Sequence, residues 1–122
     1  MTNAYDSGEK DSFDITLLKI RGNVSDNIEE SKKYIRKTAN AIDTVIGKHG
    51  EAKLRCVGAA SINNAIKAAA MASQKTQDRE GTKLLIEAGF GEADFDGSMK
   101  TAMILTVRTH EDIVNDKEFE DA

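Results

Sequence analysis

The sequence has no proline, no tryptophan and one cysteine in 122 residues. A lone Cys56 excludes an internal disulfide framework and fits a reducing compartment, so the expected location is cytoplasmic. One cysteine and two histidines fall short of the usual zinc ligand set, and no metal site is expected. Aromatic residues make up 5% of the chain, too few for a broad base-stacking platform. No apolar run approaches the roughly 20 residues that span a bilayer. The polar, acidic N-terminus does not read as a signal peptide. Phosphate-binding glycine motifs of the P-loop or dinucleotide type are missing as well. The paired carboxylates of a turn and of the ends stand where nothing suggests burial. The expectation is a non-enzymatic protein with no cofactor and no membrane partner.

A formal net charge of -4 also argues, taken whole, against a nucleic-acid binder that relies on gross positive charge. The charge is unevenly distributed. Residues 1–14 carry a net of -3 and residues 109–122 a net of -5, which leaves 15 basic and 11 acidic residues, a net of +4, in residues 15–108. The acidity belongs to the ends. Residues 1–13 read as a disordered acidic N-terminal tail, 14–108 as one domain, and 109–122 as an acidic C-terminal tail.

Within the domain, Ile15, Leu17, Leu18 and Ile20 predict a strand over 14–21. Gly22-Asn23 breaks it, and Ser25, Asp26 or Asn27 can cap a helix with Glu29 and Glu30 in its first turn. Ile35, Ala39, Ile42 and Ile46 share one face of that helix, which is expected to stop at Gly47-Lys48-His49-Gly50. A strand follows at 52–58, with Leu54 and Cys56 on one face. Ser61 is a candidate cap for a second helix over about 61–75, whose stripe is Ile62, Ala65, Ile66, Ala69 and Ala72. Gln77 to Gly81 reads as a loop, and 82–90 and 99–108 as strands joined through the hairpin signal Asp96-Gly97. The order β-α-β-α-β-β predicts an α/β two-layer sandwich, a four-stranded mixed sheet with two helices on one face.

Several of these segments carry a resemblance: Ala41-Ile42, Val45-Ile46, Gly50 to Leu54, Val57-Gly58-Ala59, and Asn63-Asn64-Ala65-Ile66-Lys67-Ala68. Together with Gly81, Phe90, Asp96-Gly97 and Thr101-Ala102, they make residues 14–108 resemble the stage V sporulation protein S family. The resemblance implies an Alba-like fold and a small dimeric or higher homo-oligomeric protein that binds DNA or RNA. The sequence departs from the family pattern in having Ala88-Gly89 where a proline is usual near the end of the third strand, and in its acidic ends.

The candidate interface residues follow from chemistry and resemblance together. Arg21, Gly22 and Asn23 form a βα loop of the kind that holds phosphate beside helix amides. Ser61, Asn63, Asn64 and Lys67 open the second helix; Asn63 and Lys67, four apart, share a face and offer an amide and a cation. Lys100, beside the hairpin, can extend a basic surface. Lys32, Lys33, Arg36 and Lys37 read as a solvated helix face paired with Glu29 and Glu30. The hairpin itself carries Glu92, Asp94 and Asp96, which would repel phosphate. The alternative to a nucleic-acid-binding regulator is a protein-interaction or assembly module that keeps the fold without nucleic-acid binding. In the first reading, the acidic tails compete with phosphate for the basic surface.

Overall fold

The computed structural model describes residues 14–110; the two acidic tails lie outside them but for Thr109 and His110. The element order is β1 (Leu17–Ile20), α1 (Ile28–His49), β2 (Glu51–Cys56), α2 (Ala59–Glu80), β3 (Leu84–Phe95) and β4 (Ser98–Thr109). The sheet order is β1-β2-β4-β3. β1 pairs parallel with β2, while β4 pairs antiparallel with both β2 and β3. This is the α/β mixed sheet expected from the sequence.

Side chains alternate across the sheet, and one set faces the helices. Leu54 and Cys56 on β2, Leu105 and Val107 on β4, and Leu84 on β3 are buried on that face. They meet Ala39 and Ile42 of α1 and Ala65, Ala68, Ala69 and Ala72 of α2 in one core. The alanines keep α2 helical and let its backbone approach its neighbours closely. Ala68 joins the buried stripe in place of Ile66, which is 44% exposed. Buried hydroxyls are satisfied locally: Thr38 donates to the Tyr34 carbonyl and Thr76 to that of Ala72. Across the helix pair, Arg79 bonds Asp43 at 2.9 Å.

Several boundaries differ from expectation, each for a local reason. β1 starts at Leu17 because the Asp14 carboxylate accepts the Thr16 N–H at 2.9 Å and closes a turn instead. The Thr16 hydroxyl, ahead of the Lys53 ammonium, holds the Asp14 carboxyl below its ordinary range. α1 runs through Gly47 and ends at Gly50, which takes the left-handed conformation and donates its N–H to Ile46 at 2.8 Å. α2 begins two residues before Ser61 and continues through the expected loop to Glu80. β3 runs on to Phe95. The connection to β4 is only Asp96-Gly97, both at positive φ (54° and 80°), the two-residue turn that suits a twisted hairpin. β2 ends at Cys56 opposite Met103, so β3 and β4 continue beyond it as a two-stranded arm.

Candidate functional site

The C-terminal ends of β1 and β2 open on the same end of the sheet, because the two strands are parallel. β1 leads into the loop 21–27, and β2 turns through Val57-Gly58 into α2. Between the loop, the start of α1 and the start of α2 lies an open cleft of about 340 Å³. Asn23, Ser25 and Asp26 line it from the loop, Ser31 and Lys32 from α1, and Ala60, Asn63, Asn64 and Lys67 from α2.

Asn64 builds the cleft. Its Nδ2 donates to the carbonyls of Arg21 at 2.9 Å and Gly22 at 2.8 Å, tying the loop to α2. Gly22 fits because it has no side chain: a Cβ there would lie 3.2 Å from Ala60 Cβ and 3.3 Å from the Ser61 nitrogen. The Arg21 N–H donates to the Tyr34 hydroxyl at 2.8 Å, and the Arg21 guanidinium lies 5.2 Å from the centre of the Tyr34 ring. Arg21 therefore reaches the site through its backbone, while its charge rests on α1.

The two helices that start here differ at their N-termini. Asn27 caps α1, its Oδ1 accepting the N–H groups of Glu29 at 2.8 Å and Glu30 at 3.2 Å. Those two acids sit in the first turn of α1. α2 follows Gly58, which makes no side-chain cap, and no acid stands in its first turn. The positive end of the α2 dipole is therefore uncompensated by its own sequence.

Of the eight candidate residues, Gly22, Asn23, Asn63, Asn64 and Lys67 line one cleft, with Arg21 beside it. Two do not join them. Ser61 is buried, and its hydroxyl donates to the carbonyls of Val57 at 2.9 Å and Gly58 at 3.0 Å. It stabilises the turn into α2 and does not face a ligand. Lys100 stands opposite Ala93 on the arm, on the sheet face away from the helices. Lys32, which the sequence places on a solvated helix face, lines the cleft with Lys67. Tyr34 joins the site without a motif to mark it. Its position one turn before Thr38, beside the Ile35 stripe, is the signal that would have placed it at the edge of the buried face.

The model of the stage V sporulation protein S family matches residues 29–110. The chain belongs to that family. Membership supports a sporulation-related regulatory role. The family match includes the α1 and α2 walls of the cleft and begins after the loop wall, so Arg21 to Asn27 rest on the geometry described above. No curated protein matches the chain.

Cys56, the one thiol, lies in the core, where burial pushes it up to about 11. It is a small apolar packing group at neutral pH.

Proposed function

We propose that this member of the stage V sporulation protein S family is a non-enzymatic regulator that binds nucleic acid, DNA or RNA, by its phosphate backbone. The observation that carries the reading is that α2, uncapped by any side chain and without a first-turn acid, borders with Ala60 a cleft flanked by Lys32 and Lys67. A phosphate seated there would meet the positive end of the α2 dipole, two cations and the Asn63 side chain. Among the described residues, Asp26 is the one acid that lines the cleft, and it lies on the loop side. Base readout is not part of the proposal, because backbone contacts position a nucleic acid without reading its sequence.

A dimer would bring two clefts to one strand and double the +4 of residues 15–108. The helix-side face of the arm supports self-association. Phe90 is 81% exposed and Met99 59% exposed there, with Ile86 further along the same face. Glu92 and Asp94 share that face, so the arm suits a protein partner better than phosphate. Asp94 also accepts the Gly97 N–H at 2.9 Å and so shapes the turn. The same apolar face favours the second reading, an assembly module without nucleic-acid binding.

A filter-binding titration of the full chain with double-stranded DNA, single-stranded DNA and RNA over a salt series separates the two. Binding that weakens linearly in log affinity against log salt is expected. Oligomerisation by light scattering, with no binding to any of the three at low salt, would replace the first reading by the second.

A further inference from the structure

The sheet face away from the helices has no covering element among the described residues. Lys19 on β1, Lys53 and Arg55 on β2 and Arg108 on β4 lie on it, set there by the strand register. Glu51 and Glu87 are the acids of the same face. Lys53 is bonded to Asp14 at 3.2 Å and lies 3.9 Å from Glu51, and Lys19 and Arg108 also have partners. The face is not uniformly polar, as a solvated sheet face would be. Leu17 and Ile104 are half-buried on it, and Ala93 and Ala102 are only 2% and 1% exposed. Ile104 leans over Gly91, where a Cβ would come within 2.8 Å of its Cγ1.

β4 ends beside Arg108, and the His110 N–H bonds the Lys83 carbonyl at 2.7 Å. Residues 111–122 follow: six acids against Lys117, a net of -5, with Ile113, Val114 and Phe119 among them. We propose that residues 111–122 of the same chain dock across this face. The acids would lie along the cations, and the apolar residues against Leu17 and Ile104. The reach is sufficient. Lys19 lies two strands over and four residues back from Arg108, about 16 Å at ordinary strand spacings. Twelve residues span about 18 Å as a helix and about 40 Å extended. Docked this way, the segment is a built-in competitor for any polyanion that approaches the sheet. The inference rests on the charge, burial and reach of this face and does not depend on the cleft.

Zero-length carbodiimide cross-linking of the full chain tests it, with a mixture of isotopically light and heavy protein read by mass spectrometry. Intrachain links from carboxylates of 111–122 to Lys19 and Lys53 are expected to exceed those to the more exposed Lys33, Lys37 and Lys67. They should fall several-fold in 1 M salt, where charges are screened beyond about 3 Å. Three results would overturn the proposal: links spread over the helix-side lysines at equal or higher frequency, links unaffected by salt, or links found only between light and heavy chains. The last would assign the face to a second copy.

Discussion

Two helices begin at the same end of this sheet, and they begin differently. α1 enters after a seven-residue loop, takes a side-chain cap from Asn27 and has Glu29 and Glu30 against its dipole. α2 enters after the two-residue turn Val57-Gly58, with neither cap nor first-turn acid. The first has its terminal amides and its dipole satisfied by its own sequence. The second is stabilised from below, by the buried Ser61 hydroxyl and an alanine stripe in the core, and its polar end is left facing the cleft. A helix held by packing needs no side-chain cap, and the proposed phosphate cleft at this end of the sheet rests on that difference.

The comparison breaks most sharply at Gly58, whose φ of 91° and ψ of 162° belong to glycine alone. Gly58→Ala is expected to destabilise the fold by about 1–3 kcal/mol, measured by urea denaturation. Asn64→Ala removes two hydrogen bonds from the loop; a loss of about 1–2 kcal/mol is expected, together with weaker binding because the cleft loses its shape. Asn27→Ala should cost about 1 kcal/mol and leave binding unchanged, which distinguishes the capped helix from the uncapped one. A smaller effect comes from pH. The Cys56 thiol is held neutral to about 11 against an ordinary 9.0, so it stabilises the fold fully below pH 9 and loses that contribution as pH rises toward 11. Alkylation at pH 8 should accordingly label Cys56 only as the chain unfolds; rapid labelling under native conditions would contradict its burial.

The sequence made the large elements legible because their signals are local and repetitive. Ile35, Ala39, Ile42 and Ile46 mark one helical face without reference to anything distant, and Asp96-Gly97 marks a turn by its own backbone preference. It failed where two local signals competed. Gly47 and Gly50 both read as helix stops, and only the second adopts the left-handed conformation. Ser61 reads as a cap, but Gly58 starts the helix one turn earlier and carries Ser61 into the core. The site was legible in its α2 half and in the loop. Lys32 is hidden in the sequence because Glu29, at i−3, offers a sufficient local explanation, and the packing of α1 beside the loop through Tyr34 and Arg21 is a tertiary fact. Lys100 lies apart from the cleft because β-strand parity sends it to the sheet face away from the helices.

The most direct measurement compares Lys67→Ala with Lys33→Ala, two variants that remove the same charge, one from the cleft and one from the exposed outer surface of α1. Nucleic-acid affinity is measured over a salt series for each. Lys67→Ala is expected to lower affinity several-fold and to reduce the salt slope by about one, while Lys33→Ala stays near the parent chain. Equal losses in the two variants would mean that binding follows overall charge alone, and the account of an open α2 terminus in a phosphate cleft would be wrong.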